Sequence, residues 1–235
     1  MSEAQRYDDQ RSHFEQDEHQ YPVDAILNPP LHTTLELEGV VQAMHAAPPD
    51  GEVVDFGAGT GRISVALAKN GYRVLAVDIS ESSLSDLKQV VTSLSLPSIE
   101  TSTELPTDRT FAAVVGGDVL HHVDLDEFLP RFHDLLDDGG ILVFTEPGGM
   151  NPAWYPYLAI VADLRVERRI VFCNVWTLRT KLRRHGFRRI DIRGVGILPR
   201  SLFGWSERAC RINDRLGNLP ILRWFAYRYL IVASR

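Results

Sequence analysis

The stretch "VVDFGAGTGR", Val53 to Arg62, sets three glycines at every second position directly behind an apolar run. A strand-like run, a glycine-rich turn and the helical pattern "GRISVALAKNG" together form the kind of βα turn whose backbone approaches a nucleotide. A dinucleotide fingerprint, G-x-G-x-x-G, requires a third glycine where helix and strand pack closely. Counted from Gly57, that position holds Arg62. The pattern is instead Asp55, Gly57, Gly59, Gly61, in which an acid ends the strand and backbone without Cβ atoms turns beneath the ligand. A carboxylate at Asp55 repels a pyrophosphate and suits a cationic group such as a sulfonium or an ammonium. No Lys-Ser/Thr pair follows the glycines, which excludes a P-loop.

Outward from this turn, strand and helix patterns alternate. Apolar runs at 52–56, 73–78, 111–116 and 140–145 read as buried parallel strands, with a weaker one at 98–102. Between them lie "GRISVALAKNG" ending on Gly71, "SESSLSDLKQVVTSL" opening on Ser80, and "DLDEFLPRFHDLLDDGG" opening on Asp124 and stopped by Gly139 and Gly140. Ser or Asp at the starts and Gly at the stops are the expected caps. Two further strands, at 188–196 and 226–235, are separated by a stretch without a clear crossover helix. The fold class predicted is α/β, with a doubly wound, mostly parallel sheet and helices on both faces. The reading is of a single domain over 1–235, with an N-terminal helical arm at 1–50, a cofactor-binding core at 51–147, substrate-cap helices, a sixth strand and a C-terminal helical insertion at 148–225, and a last strand at 226–235.

The 235 residues are 44% hydrophobic, enough for one domain with a full core. No apolar run is long enough to span a bilayer, and the acidic, polar beginning is unlike a signal peptide, so a cytoplasmic protein is expected. Cys173 and Cys210 show no disulfide or zinc spacing and read as small apolar residues. The net charge of −6 hides an asymmetry: residues 1–150 carry 8 Lys and Arg against 26 Asp and Glu, and residues 151–235 carry 17 against 5. Either the basic helices face acidic ones and solvent, or a basic rim attracts an anionic substrate or surface.

Four segments in register resemble the class I S-adenosylmethionine-dependent methyltransferases, over about residues 50–147. "VVDFGAGTG" resembles the family's first motif, which implies Asp55 near the methionine part and Gly57, Ala58 and Gly59 lining the cofactor. "VLAVDIS" resembles the second, which implies Asp78 as acceptor from the ribose hydroxyls, with Ile79 beside it. "IETSTELPTDRTFAAVV" resembles the loop after strand three; aligned on Leu105-Pro106, it puts Thr101 where an acid usually stands and Ser102 and Thr103 beside adenine. "VVGGDVLHHV" resembles the segment after strand four, whose Gly117 and Asp118 pass the methionine end. The resemblance implies a seven-stranded sheet with an antiparallel last strand, S-adenosylmethionine as cofactor and S-adenosylhomocysteine as product.

Methyl transfer from a sulfonium is an in-line displacement that asks mainly for alignment and a dry site. A hydroxyl acceptor also benefits from a base, for which His121 and His122, just beyond strand four, are candidates. One imidazole can equally buttress the cofactor or cap a helix. Glu146, ending strand five, can bind the acceptor, act as base or cap a turn. No Asp/His/Glu trio with metal spacing stands out, and no metal is expected. "ILNPP" lacks the aromatic of a nucleobase-amine motif and lies before the glycine turn, so its prolines read as punctuation before "LHTTLELEGVVQAMHAA". "NPAWYPYLAIVADLRVERR" reads as an amphipathic cap helix, and Phe203, Trp205, Trp224 and Phe225 stand among arginines. These residues are core and solvated rim, or an acceptor site for an anionic, aromatic or lipid-like small molecule. The leading expectation is a small-molecule O-methyltransferase. Its alternatives are a nucleic-acid methyltransferase, opposed by the pI near 5.7, and a silent cofactor-binding regulator.

Overall fold

The computed structural model describes residues 22–48, 51–156 and 168–235. The start of the predicted arm and most of the predicted cap helix at 151–169 lie outside the described residues. Seven strands form one sheet in the order β3-β2-β1-β4-β5-β7-β6. They are β1 (Glu52–Phe56), β2 (Arg73–Val77), β3 (Ile99–Ser102), β4 (Phe111–Gly117), β5 (Leu136–Pro147), β6 (Arg188–Val195) and β7 (Arg228–Ser234). The first five in that order run parallel, and β7 is antiparallel to both β5 and β6. The expected doubly wound sheet with its antiparallel last strand is the observed one.

Alternation along each strand creates two cores. Val53 of β1 joins Val74, Ala113, Val143 and the helices α1 (Val23–Leu27), α2 (Leu31–Met44), α3 (Arg62–Lys69) and α4 (Glu81–Leu94). Val54, one residue on, joins Val114, Leu142, Phe144 and the opposite layer, α5 (Leu125–Leu135) and α6 (Val175–Arg184). Period-2 side-chain direction thus puts helices on both faces. The caps are made as their residue types demand: Ser80 accepts from the Ser83 N–H at 3.2 Å and Asp124 from the Asp126 N–H at 2.9 Å. Pro29 and Pro30 separate α1 from α2, as the punctuation reading expects.

Two sequence expectations are corrected. The helix opening on Asp124 does not run to Gly139 and Gly140; it ends at Leu135, and Leu136 already pairs with Phe111, with a register shift before the regular ladder. The strand expected at 140–145 therefore begins at Leu136, where pairing with Phe111 of β4 takes the place of one more helical turn. The helical insertion expected in this part of the chain is seen between β6 and β7 as α7 (Glu207–Gly217), capped by Ser206 accepting from the Ala209 N–H at 3.3 Å. Its inward stripe is Cys210, Asn213 and Gly217, too small and too polar to register as a hydrophobic period. Helix α6, opened by Asn174, was likewise hidden by its basic outer face.

The strand order places the glycine turn after β1 beside the segment after β4, the position where such sheets bind ligands. Because β6 runs parallel to β5, the segment linking β6 to β7 leaves the sheet at this same edge.

Candidate active site

The three glycines divide by function. All have positive φ, at +70°, +53° and +94° for Gly57, Gly59 and Gly61. A Cβ on Gly57 would come within 2.5 Å of Val119, and one on Gly61 within 2.2 Å of Leu87, whereas one on Gly59 would meet nothing within 4 Å. The outer two are therefore required by packing, and the middle one faces open space in which a ligand can lie against the backbone. The Gly57 and Ala58 N–H groups donate to the Val77 carbonyl, tying the turn to β2. Asp78 completes the tie: its Oδ2 accepts from the Gly59 N–H at 2.7 Å and its Oδ1 from the Ser80 N–H at 2.9 Å. Burial raises its pKa, and each oxygen keeps a second lone pair for a hydroxyl donor. Ile79 beside it is exposed, a flat apolar surface at the rim. Ser102 spends its hydroxyl on its own loop, donating to the Glu104 carbonyl at 2.7 Å and accepting from the Glu104 N–H at 3.1 Å, and Thr103 is exposed at the same rim.

Asp55 points inward. Its Oδ2 accepts from the Ser64 hydroxyl of α3 at 2.6 Å, while Oδ1 is sealed from solvent with no hydrogen-bond partner. Burial pushes its pKa up to about 6 against the opposing Ser64 bonds.

Asp118 sits one residue beyond β4 in a left-handed conformation, φ +58°. Its Oδ2 accepts from Arg62 at 3.1 Å and its Oδ1 from Arg228 at 2.7 Å. Glu36 of α2 joins the same two guanidiniums, at 3.7 Å from Arg62 and 3.2 Å from Arg228, and accepts from the Thr145 hydroxyl at 3.1 Å. Two acids and two bases from α2, α3, the end of β4 and β7 thus close into one clasp. Burial alone would raise the Asp118 pKa, but Arg228 and then Arg62 override it and hold it at about 2. Gly117 has no side chain because a Cβ there would press on Thr145, Ile63 and Arg62 at 2.9 to 3.1 Å.

Sequence reasoning missed Glu36, Arg228 and the role of Arg62. A signal existed for Arg62: a cation at the first position of a helix opposes the helix dipole and requires nearby acids. Part of the charge asymmetry is met by such cross-pairs, including Arg211 with Glu38, Arg169 with Asp124 and Lys181 with Asp126.

Glu146 is fully buried in β5. Its Oε1 accepts the Val119 and Leu120 N–H groups at 2.9 and 2.8 Å, and its Oε2 lies 2.7 Å from Nδ1 of His121. The structure thus joins two residues that the sequence offered separately, and the two N–H groups that Glu146 accepts belong to the turn after β4, so it caps that turn as well as holding His121. His122 packs beside His121, with ring centroids 4.0 Å apart and the ring planes tilted by 42°. Buried Cys173 completes a trio whose ligand atoms lie within 4.8 Å of one another, a grouping hidden in the sequence because Cys173 stands 27 positions from Glu146. The 2.7 Å contact is a hydrogen-bond length, shorter than the spacing of two ligands sharing one metal at about 2.0–2.2 Å from each.

Comparison with known proteins agrees with this geometry. Residues 54–144 match the family model described as a methyltransferase domain. An uncharacterized methyltransferase from Staphylococcus carnosus is 28% identical over 104 residues, covering 42% of this chain and 48% of the relative. A protein named S-adenosyl-L-methionine-dependent Diels-Alderase, from Neonectria sp., is 25% identical over 127 residues, 54% of this chain and 51% of the relative. The chain spans about half the length of these curated relatives. Among solved structures, geranyl diphosphate C-methyltransferase from Streptomyces coelicolor, in complex with Mg2+, geranyl diphosphate and S-adenosylhomocysteine, superposes with a TM-score of 0.60 at 20% identity, over 96% of this chain and 88% of that one. The likeness is one of fold. S-adenosylmethionine is the cofactor of such domains, and the residues here fit it: an open face at Gly59, spare acceptor capacity on Asp78, exposed apolar surface at Ile79 and an unsatisfied oxygen on Asp55.

Proposed function

We propose that the chain transfers a methyl group from S-adenosylmethionine to the hydroxyl of a small molecule, with His121 as general base and Glu146 as the residue that positions it. The bound cofactor supplies a methyl group on a cationic sulfur, already activated for displacement. Gly59 and Asp78 hold its ribose side, Ile79, Ser102 and Thr103 border its adenine, and Gly117 and Asp118 flank its reactive end. The observation that carries the base assignment is the 2.7 Å contact between His121 and Glu146, whose other oxygen is pinned by two backbone N–H groups. A carboxylate so fixed sets the ring's orientation and tautomer with the proton on Nδ1, which makes Nε2 the atom that takes the acceptor's proton, and it stabilises the imidazolium that forms. A burial this complete also excludes water from the proton transfer.

The relative named as a Diels-Alderase favours a second reading, in which the chain binds the cofactor and shapes an acceptor without moving the methyl group. One experiment separates the two. The protein is incubated with methyl-labelled S-adenosylmethionine and host extract, and the labelled product is identified. Label transfer that is lost in His121→Ala, with unchanged affinity for S-adenosylhomocysteine, supports the proposal. Full turnover in His121→Ala removes the base from the mechanism, and tight cofactor binding without transfer to any acceptor pool favours the second reading.

A further inference from the structure

The segment between β6 and β7 exposes more apolar surface than methyl transfer requires. Trp205 is 81% exposed, Ile221 78% and Leu202 60%, and Ile212, Leu216 and Leu219 are exposed between them. Isolated exposed apolar side chains are ordinary, but a run of large ones within one element marks a contact surface. The run is held on a rigid platform. Arg200 clamps Asp214 of α7 through two bonds of 2.9 and 2.8 Å, and Asn213 accepts from the Ile197 and Leu198 N–H groups at 3.0 and 3.2 Å. With Cys210, Asn213 and Gly217 turned inward, α7 presents Ile212 and Leu216 outward, one helical turn apart. Arg208, Arg211 and Arg215 share that exposed side. Trp224, just beyond, lines a groove with Trp176, Arg179 and Arg183 of α6.

We propose that residues 198–225 form an interfacial element that lays this edge of the protein on an anionic lipid surface. Apolar side chains alternating with arginines on a surface helix, flanked by tryptophans, match the polar–apolar gradient of a headgroup layer, where indoles favour the boundary and guanidiniums pair with phosphates. The sign of the charge agrees, since residues 151–235 carry 17 cations against 5 acids. A symmetric contact between two copies would instead bring like-charged arginine faces together. The segment leaves the sheet at the edge that carries the glycine turn, and Arg211 reaches Glu38 of α2 at 3.4 Å, so a surface engaged here lies beside the mouth of the site. This inference is independent of the methyl-transfer reading, because surface binding is measured without turnover.

The test is co-sedimentation of the full chain with vesicles of mixed phosphatidylglycerol and phosphatidylcholine, against vesicles of phosphatidylcholine alone, together with tryptophan emission. The expected result is binding to the anionic vesicles with a blue shift, lost near 1 M salt, where the screening length is about 3 Å. Arg208→Gln with Arg215→Gln should lower the partition coefficient roughly 25-fold. Trp205→Ser with Ile221→Ser should lower it by about tenfold or more. Both variants should keep the wild-type affinity for S-adenosylhomocysteine, which shows that they fold. Absence of binding at low salt overturns the proposal, as does equal binding to both vesicle types or full retention in the variants. So does a dimer that Trp205→Ser disperses, if the wild-type chain ignores vesicles.

Discussion

Asp118 and Glu146 stand at the carboxyl ends of adjacent strands, yet their surroundings differ in kind. Asp118 lies between two guanidiniums, with a second acid sharing them. Glu146 is held instead by two backbone N–H groups and an imidazole. A carboxylate between two arginines is a fixed charge, with its pKa at about 2 and no capacity to exchange protons near neutrality. A carboxylate held by neutral donors and a histidine can strengthen its interaction as that histidine gains a proton. The first arrangement builds the floor of the site, and the second is suited to chemistry. Asp55, ending β1, is a third case: buried with one hydroxyl donor, it resists ionisation, with a pKa of about 6.

The largest predicted effect breaks the clasp. Arg228→Met leaves Asp118 and Glu36 sharing one cation, and an uncompensated buried acid costs about 3–5 kcal/mol. Differential scanning calorimetry should show a fall in Tm of roughly 6–20 °C, partly recovered when Glu36→Gln is added. A negligible change would show that the clasp is not a structural unit. Next, Glu146→Gln should keep most of the stability and the cofactor affinity but cut turnover by at least about a hundredfold. Its effect should not add to that of His121→Ala, because the two residues act as one. Additive losses would separate the pair.

Asp55 predicts a pH dependence opposite in sign to that of Asp118. Its folded-state pKa of about 6 lies above the unfolded value near 3.9, so between these values the native state binds more protons. Stability of the cofactor-free protein should therefore fall as pH rises from about 4 to about 6, by about 3 kcal/mol at most from this group. Asp118, depressed to about 2, stabilises above pH 4 and loses that contribution as pH falls toward 2. Urea unfolding across this range, with Asp55→Asn as reference, checks the sign: the variant should flatten the upper slope. The smallest effect is Ser64→Ala, which removes the hydrogen bond opposing the shift and should cost about 1 kcal/mol near neutral pH while moving the Asp55 window upward.

The glycine turn and its tie to Asp78 were legible because their features are local. Three glycines, the acid before them and the acid ending β2 lie within one βα unit and its successor, so spacing alone locates the turn. What escaped is non-local. Glu36 reaches Thr145 across 109 positions and Arg228 reaches Asp118 across 110, and no short-range pattern records such meetings. His121 and Glu146 could be nominated one by one, but their contact depends on the register of β4 against β5. The bounds of helix α7, expected only as a helical insertion, were hidden for a different reason: it packs with small and polar residues and shows its apolar ones to the outside, which inverts the pattern by which buried helices are read.

The clasp also has a consequence for how the site comes into being. Its members are made at widely separated moments of synthesis, Glu36 early and Arg228 only with β7, and a strand inserted between β5 and β6 cannot pair before both neighbours exist. Contacts of such sequence separation form late in folding. A nascent chain can therefore build the glycine turn while still attached to the ribosome, but the clasp around Asp118 closes only after the antiparallel strand docks, so its closure reports that the sheet has been completed.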